Sequence, residues 1–257
     1  MYAKKSYGQH FLKNDSIAVR IADSLNLAAE TGRVLEVGPG TGMLTRQLLR
    51  HHAEYTLYAV EADADMVAHL QRELPDLGEH LIRKDFLDFD PAPVFGENPF
   101  CLIGNFPYNI STQIVFKMLE LRRQIPEMVG MFQKEVADRI VSPPGSKVYG
   151  ITSVLVQAFY EPQYLFTVEP GSFNPPPKVR SAVIRLTRKA KLELDCDEKR
   201  FRQIVKAAFN NRRKMLRNTL KPFFPPEILM NDPYFEQRPE RLGWEAYVEL
   251  ANRTTAL

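Results

Sequence analysis

The sequence has little cysteine and no long apolar run, and these absences exclude several classes of protein. Its 257 residues include only two cysteines, Cys101 and Cys196, which is too few for a disulfide scaffold or a cysteine-rich zinc site. No apolar run approaches the roughly 18 residues that a membrane span needs. The first residues contain two lysines but no apolar segment with a small-residue cleavage site, so they do not predict a secretory signal. We therefore expect a globular protein of the cytoplasm.

Positive charge is concentrated in the C-terminal third of the chain. The formal net charge is only +3, yet residues 178–221 contain 15 Lys and Arg against four Asp and Glu. Such a concentration is typical of a surface that binds a polyanion. A solvated helix face is the alternative for a charge run alone, but the cluster of Arg212, Arg213 and Lys214 favours contacts to nucleic acid.

Between Arg33 and Phe132, short β-rich runs alternate with amphipathic helical stretches. Strands are predicted at 34–37, 55–60, 80–83, 100–104 and 128–132, and helices near 15–27, 42–51, 63–74, 111–124, 134–141 and 150–160. This alternation predicts an α/β fold, a parallel sheet with helices on both faces that binds ligands beyond the carboxyl ends of its strands. Two later runs, 164–168 and 181–186, predict an antiparallel pair.

The length of the chain allows one α/β domain and a small appendage. After about Arg188 the composition becomes basic, and one long helix is predicted over 198–219 with another near 240–252. We therefore place an α/β domain at 1–190 and a small all-α basic domain at 191–257.

A glycine-rich loop follows the first predicted strand. Glycines let a strand turn into a helix while the backbone closely approaches a ligand. A dinucleotide fingerprint has the spacing G-x-G-x-x-G, whereas Glu36 to Gly42 has the form E-x-G-x-G-x-G. Nicotinamide and flavin sites use similar glycines and remain the alternative, but this spacing favours a methyltransferase, whose cofactor has a methionine tail. Gly38 and Gly40 are therefore candidate cofactor contacts.

Acidic residues follow the next two predicted strands. Glu61 ends the second strand, where a carboxylate can accept hydrogen bonds from both hydroxyls of a ribose. Asp85 ends the third strand, where a carboxylate can accept a proton from an adenine amine beside the apolar Phe86. A solvated loop residue is the alternative for either acid alone, and their position after the glycine loop favours a cofactor site.

The segment Asn105-Phe-Pro-Tyr108 follows the fourth predicted strand. The Asn105 side-chain oxygen and the Pro107 carbonyl can accept the two N–H groups of an amine conjugated to a heteroaromatic ring, which frees the nitrogen lone pair for methylation. Proline fixes the position of that carbonyl, and Tyr108 can stack on an unstacked base. A proline turn that closes a strand is the alternative. The pattern predicts Asn105, Pro107 and Tyr108 as catalytic residues.

A proline-rich segment at 173–181 carries one aromatic residue and two cations. Phe173 is a candidate for stacking on the opposite face of the base, as a further catalytic residue. Lys178 and Arg180 are candidates for contacts to phosphates, together with Arg212, Arg213 and Lys214. A polyproline surface loop between two strands is the alternative.

Six segments, in order along nearly the whole chain, together resemble the family of ribosomal RNA small-subunit adenine dimethyltransferases. They are 8–12, 36–40, 105–111, 133–136, 173–179 and 209–217. The resemblance implies a Rossmann-like class I methyltransferase fold and S-adenosylmethionine as the cofactor. It further implies the transfer of four methyl groups to two adjacent adenosines near the 3′ end of 16S rRNA, in the immature small ribosomal subunit. We expect a monomer that needs no metal and does not associate with a membrane.

The same resemblance assigns individual residues. Cofactor contacts fall on His10, Leu12, Gly38, Glu61, Asp85 and Asn105. His10 stands where the family has Asn or His, and only its backbone need be involved. Phe106 stands where the family usually has Leu or Ile, a departure that alters packing under the target base. The basic C-terminal region resembles the family's rRNA-binding domain.

Two other functions remain open. A related enzyme methylates an adenine of large-subunit rRNA and confers macrolide resistance, and its core motifs are alike. The segment 209–214 is more similar to the small-subunit branch. A non-catalytic assembly or transcription factor on the same fold is the second alternative, which the intact Asn-Phe-Pro-Tyr segment disfavours.

Overall fold

The computed structural model describes residues 10–254 of the chain. Its strands are β1 (Phe11–Leu12), β2 (Arg33–Val37), β3 (Thr56–Glu61), β4 (Leu81–Arg83), β5 (Cys101–Asn105), β6 (Glu127–Gln133), β7 (Tyr160–Val168), β8 (Phe173–Asn174) and β9 (Ser181–Arg188). Its helices are α1 (Asp15–Ala22), α2 (Ala28–Thr31), α3 (Met43–Leu49), α4 (Ala64–Glu73), α5 (Ala92–Phe95), α6 (Ser111–Glu120), α7 (Lys134–Val141), α8 (Ile151–Gln157), α9 (Glu198–Asn210), α10 (Leu216–Thr219), α11 (Pro226–Asn231) and α12 (Trp244–Arg253).

Seven of these strands form one sheet in the order β4-β3-β2-β5-β6-β9-β7, and β1 pairs with β8 in a second, two-stranded sheet. Strands β2 to β6 run parallel to one another, whereas β9 is antiparallel to β6. The chain builds outward from β2 to β4 and then returns to place β5 on the other side of β2. Such a reversal of strand order opens a crevice at the carboxyl ends of the two strands. The predicted α/β fold class is confirmed.

The central strands are apolar because both of their faces are covered. Val34, Leu35 and Leu102 are fully buried, as expected for parallel strands between layers of helices. Glu127 at the start of β6 is a buried exception. Its carboxylate accepts the backbone N–H groups of Asn26, at 2.9 and 3.1 Å, and of Leu27, at 2.9 Å, which satisfies the charge that burial would otherwise leave unpaired.

The predicted helix over 15–27 is therefore interrupted. It begins after the N-cap Asn14, whose side chain accepts the N–H of Ile17. Helix α1 ends at Ala22, and α2 begins only at Ala28. The backbone N–H groups of Asn26 and Leu27 are bound by Glu127, so they are not available to continue the helix.

The described chain divides into two compact units. Residues 10–137 and 162–188 belong to the first unit, and residues 138–161 and 189–254 belong to the second. The domain assignment of 1–190 and 191–257 stays a prediction. The units differ from it in one respect, because residues 138–161 group with the C-terminal helices and not with the sheet.

The second unit corrects the prediction of one long helix over 198–219. Helix α9 begins after the N-cap Asp197 and ends at Asn210, and Asn211 has non-helical angles of φ −129° and ψ 69°. Asparagine has low helix propensity, and the N–H of Leu216 donates to the carbonyl of Gln237 instead of a helix carbonyl. The basic cluster of Arg212, Arg213 and Lys214 therefore lies on a turn.

Candidate active site

A cleft lies at the reversal of strand order, at the carboxyl ends of β2 and β5. It encloses about 670 Å³, including its open mouth. Most of the predicted cofactor and catalytic residues line it: His10, Leu12, Gly38, Gly40, Glu61, Asn105, Pro107 and Tyr108. The cleft is also lined by residues that the sequence analysis did not assign to it: Phe11, Glu36, Pro39, Thr41, Met43, Leu44 and Phe106.

The glycine loop between β2 and α3 forms one wall of the cleft. Gly38 and Gly40 have φ values of 68° and 56°, a left-handed conformation that side chains rarely adopt. A Cβ atom added at Gly40 would lie 3.1 Å from the ring of Phe11. Glycine therefore keeps this wall close to the N-terminal strand β1 and leaves its backbone accessible to a ligand.

Glu61 ends β3 and holds the glycine loop in place. Its Oε2 accepts the N–H of Gly40 at 3.1 Å, and its Oε1 accepts the N–H of Asp63 at 2.9 Å. Burial raises the pKa of this carboxyl, and the two backbone hydrogen bonds oppose the rise. Each carboxylate oxygen has a second lone pair, so Glu61 can also accept hydrogen bonds from a ligand.

Glu36 in β2 is a site residue that sequence reasoning missed. It lines the cleft and is 1% exposed, and its Oε2 has no hydrogen-bond partner among the described residues. Burial raises the pKa of Glu36 from 4.5 to about 8, and the charge of Glu61 adds to the rise. The signal was an acidic residue inside the apolar run Val34-Leu-Glu-Val37. A buried acceptor without a partner at the wall of a cleft is available to a ligand.

We expect Glu36 to make folding stability depend on pH. The folded state holds the proton of this carboxyl up to about pH 8, whereas an unfolded chain loses it near pH 4.5. The contribution of Glu36 to folding stability is fully present below the pKa of the unfolded chain and is lost as pH rises through 8. In urea unfolding, the free energy of unfolding of Glu36→Gln should rise relative to that of the native protein as pH increases from 5 to 9, by on the order of a few kcal/mol.

The exposed Glu97 provides the control for this experiment. Glu97→Gln should differ from the native protein by the same amount at both pH values. A stability difference between Glu36→Gln and the native protein that did not change with pH would show that the Glu36 carboxyl is not buried as described.

Asn105, at the end of β5, contacts the N-terminal strand through its side chain. Its Nδ2 donates to the carbonyl of His10 at 3.0 Å. The amide nitrogen is thereby engaged, which leaves Oδ1 as the acceptor for a ligand in the cleft. The Pro107 carbonyl, predicted as the second acceptor, already accepts the N–H of Ile110 at 3.2 Å and has one lone pair left.

Tyr108 lines the cleft and is held in place through its hydroxyl group. Its OH lies 2.6 Å from Oγ of Ser181, a fully buried residue at the start of β9. The Tyr108 and His10 rings lie 5.2 Å apart and tilted by 33°. Burial raises the pKa of Tyr108, against the effect of the Ser181 hydrogen bond. Ser181 was missed because nothing in the sequence links it to Tyr108.

Two predicted site residues lie outside the cleft. Asp85 is exposed and accepts the N–H of Leu87 at 2.9 Å, so it caps the turn that follows β4, and its contact with a cofactor stays a prediction. Phe173 is fully buried in the apolar core and pairs with Leu12 across β1 and β8. A side chain covered by the core cannot stack on a base, so this structure does not support that role for Phe173.

The predicted RNA-binding cations have different environments. Lys178 and Arg180 are exposed just before Ser181, and Arg213 and Lys214 are exposed on the turn after α9. Arg212 is half-buried, and its guanidinium donates to the carbonyl of Ser146 at 3.0 Å. Arg212 therefore anchors the loop before α8 within the second unit. Among residues 10–254, no helix is long and apolar enough to cross a membrane, and no cluster of acidic, His or Cys side chains suits a metal.

The sequence profile of the family described as Ribosomal RNA adenine dimethylase matches residues 1–234. This chain belongs to that family. The Ribosomal RNA small subunit methyltransferase A of Cytophaga hutchinsonii is 50% identical over 97% of this chain and 96% of its own length. The protein of that name from Bacteroides thetaiotaomicron is 51% identical over 97% of this chain and 93% of its own. The family predicted from the sequence is confirmed, and the chain is a methyltransferase.

Solved structures have the same fold. A dimethyladenosine transferase from Plasmodium falciparum superposes with a TM-score of 0.76 at 25% identity, over 94% of this chain and 96% of that one. The 23S rRNA methyltransferase ErmE superposes with a TM-score of 0.69 at 25% identity, over 95% of this chain and 100% of that one. The sheet is therefore that of a class I methyltransferase.

Proposed function

We propose that this enzyme transfers methyl groups from S-adenosylmethionine to the N6 amines of two adjacent adenosines near the 3′ end of 16S rRNA. The single observation that carries the proposal is Asn105, whose amide nitrogen is bound to the His10 carbonyl so that its oxygen is left for an amine. The small-subunit relatives at about half identity support the choice of substrate over the large subunit.

The cleft fits the cofactor by its donors and acceptors. Glu61 retains lone pairs suited to ribose hydroxyls, and the glycine loop has no side chain at Gly38 or Gly40 to fill the space. The unpartnered Oε2 of Glu36 is free to form a hydrogen bond with a ligand. When bound, the cofactor supplies a methyl group on a sulfonium, which is a good leaving group, so the transfer needs no metal.

The residues beyond β5 prepare the acceptor nitrogen. The lone pair of an adenine amine is delocalised into the ring and is weakly nucleophilic. Oδ1 of Asn105 and the free lone pair of the Pro107 carbonyl accept the N–H groups and favour a tetrahedral nitrogen. Tyr108, fixed by Ser181, stacks on the base. Acceptors already in place cost no reorganisation during the reaction.

The substrate is rRNA within the immature small subunit, and the enzyme acts on it as a monomer in the cytoplasm. Lys178 and Arg180 lie close in sequence to Ser181, which contacts Tyr108, so they suit phosphates flanking the target adenosines. Arg213 and Lys214 suit more distant phosphates, since contacts to phosphates fix register without reading sequence.

Methyl transfer to immature small subunits, mature small subunits and large-subunit rRNA, measured side by side, tests this function. We expect N6,N6-dimethyladenosine at two adjacent positions, found by mass spectrometry of digested RNA, only with immature small subunits. Modification of large-subunit rRNA instead would establish the related resistance activity. Cofactor binding without transfer to any of the three would favour a non-catalytic assembly factor.

We expect Glu61→Ala to weaken cofactor binding by about 1 to 3 kcal/mol, the usual loss for a hydrogen bond to a charged group. The variant also removes the acceptor for the N–H of Gly40, so both effects act in the same direction. Asp85→Ala is the comparison, and its effect should be smaller because Asp85 is exposed outside the cleft. Calorimetry that gave equal affinities for Glu61→Ala and the native enzyme would remove Glu61 from the site.

We expect the double variant Arg213→Ala/Lys214→Ala to bind rRNA more weakly and with a flatter salt dependence. Removing one cation from a phosphate should lower the salt slope by about 0.7 to 0.9. The exposed Arg50 and Arg72 of the first unit, changed together to Ala, give the same charge change as a control. Arg212→Ala is measured separately because it removes the hydrogen bond to Ser146 and should lower stability. An unchanged salt slope in the double variant would show that the basic turn is only a solvated surface.

A further inference from the structure

The N-terminal strand and the proline-rich segment form a clip beside Asn105. We define the clip as residues 10–12 and 173–175. Phe11 pairs with Asn174 and Leu12 pairs with Phe173, in antiparallel register, and the N–H of Lys13 donates to the carbonyl of Ser172 at 2.9 Å. Leu12 and Phe173 are both buried. The clip therefore contains a buried apolar pair, and its residues His10, Phe11 and Leu12 line the cleft.

One hydrogen bond within the clip and one between the clip and Asn105 link Pro175 to the catalytic side chain. Nδ1 of His10 lies 2.8 Å from the carbonyl of Pro175, and since a carbonyl only accepts, the ring nitrogen donates. The carbonyl of His10 in turn accepts from Nδ2 of Asn105 at 3.0 Å. The path runs from Pro175 through His10 to Asn105.

We propose that His10 is a positioning residue, and that the clip holds its carbonyl where it fixes the orientation of the Asn105 amide. The inference rests on the proposed function and deepens it. The two ends of an amide have nearly the same size, but only the oxygen can accept the N–H of a target amine. A carbonyl beside the side chain binds the nitrogen end and repels the oxygen end. The His10 carbonyl thus selects the orientation that leaves the oxygen for the substrate.

The surroundings of His10 make its side chain important to this task. Strand β1 consists of Phe11 and Leu12, so His10 lies just before the residues that pair with β8. The hydrogen bond from the His10 ring to the Pro175 carbonyl also holds His10 in place. Phe11, the next residue, is held by its pairing with Asn174 and packs against the glycine loop. Without the imidazole, the His10 carbonyl loses the support of the Pro175 contact and depends on the pairing of β1 with β8.

The substitution Asn105→Asp tests the orientation directly. A carboxylate has two acceptor oxygens for the amine but no donor for the His10 carbonyl, which repels it. We expect its single-turnover rate on immature small subunits to fall at least about 30-fold, as far as that of Asn105→Ala, since misplaced reacting groups cost up to about 100-fold. A rate within about threefold of native would overturn the proposal. Thermal unfolding confirms that the variant is folded.

Variants of His10 test the role of the ring. His10→Ala should lower the single-turnover rate at saturating cofactor by about tenfold, whereas His10→Asn, whose amide can donate to Pro175, should restore most of it. In the Asn105→Ala background, His10→Ala should change the rate by less than about twofold, because coupled residues do not have additive effects. A merely structural role would give the same fold-change in both backgrounds and would overturn the proposal.

His52 supplies the matched control. It is exposed in the turn after α3, and its Nδ1 lies 3.2 Å from the carbonyl of Leu49, so His52→Ala removes the same kind of contact away from the cleft. It should keep the native rate. The native enzyme separates the two hypotheses: if it methylates no adenosine, the proposed function fails, and if it is active but His10→Ala equals native, only the positioning role fails.

Discussion

Replacing Asn105 by Ala should lower the single-turnover rate of methyl transfer by about 30- to 1000-fold, which corresponds to about 2 to 4 kcal/mol of transition-state stabilisation. The change removes the acceptor that Asn105 offers to the reacting amine. Cofactor affinity should fall much less, because Glu61 and the glycine loop remain in place. Rapid-quench measurement on immature small subunits, with calorimetry of cofactor binding, checks both parts.

The second transfer to each nitrogen should suffer more than the first. An unmodified adenine amine has two N–H groups for the Asn105 oxygen and the Pro107 carbonyl, but the monomethyl product has only one. The Pro107 carbonyl is already shared with the N–H of Ile110, so it is the weaker acceptor. Without Asn105, the monomethylated nitrogen depends on that carbonyl alone. Monomethyladenosine should therefore accumulate in the Asn105→Ala reaction.

Asn98 provides the matched control. Its Nδ2 donates to the carbonyl of Phe95 at 2.9 Å, a contact like that of Asn105 with His10 but outside the cleft. Asn98→Ala should dimethylate at the native rate. If Asn105→Ala did so too, Asn105 would not be the catalytic acceptor and the mechanism would have to be abandoned.

The placement of candidate site residues was predictable where it depends on their position after a strand. Parallel strands align their carboxyl ends, so residues that follow β2, β3 and β5 had to meet at one edge of the sheet. That reasoning correctly brought Gly38, Glu61 and Asn105 together. It was less reliable for Asp85, because β4 is at the edge of the sheet and its end lies away from the reversal of strand order.

The remaining features depend on contacts between residues distant in sequence. Phe173 is buried because Phe173 and Leu12 pair across β1 and β8, and nothing near Phe173 in the sequence indicates that pairing. The partner of Tyr108 is Ser181, 73 residues away. Beyond the break after α9, the N–H of Leu216 donates to the carbonyl of Gln237. The helical pattern over 198–219 does not indicate that the Gln237 carbonyl accepts this N–H.

The phenylalanine at position 106 is accommodated by two glycines that lie against its ring, Gly104 and Gly130. Gly104 and Gly130 are paired across β5 and β6. A Cβ atom at Gly130 would lie 2.3 Å from Cε2 of Phe106 and 2.6 Å from Cε2 of Phe132, and one at Gly104 would lie 2.7 Å from Cε1 of Phe106. The absence of both side chains creates the space for the Phe106 ring.

We therefore expect Gly130→Ala to lower the free energy of unfolding by about 1 to 3 kcal/mol, the usual cost of overpacking a core, and to reduce methyl transfer sharply. Phe106 is 1% exposed and lines the cleft together with Asn105, so a displacement of its ring by a new methyl group would change the wall of the cleft. Urea unfolding and single-turnover rates measure the two effects. Gly171→Ala is the control, since a Cβ atom there meets nothing within 4 Å.

The double variant Gly130→Ala/Phe106→Leu separates overpacking from a loss of backbone freedom. Gly130 is not among the glycines with positive φ, so alanine meets only a steric obstacle there. A shorter leucine removes the nearer of the two rings that the alanine methyl group would strike, and Phe132 remains as the second. The two changes should compensate each other in part because the residues are in contact. The double variant should recover part of the stability and of the rate that Gly130→Ala removes. If adding Phe106→Leu instead lowered stability further, the space above Gly130 would not be what accommodates Phe106.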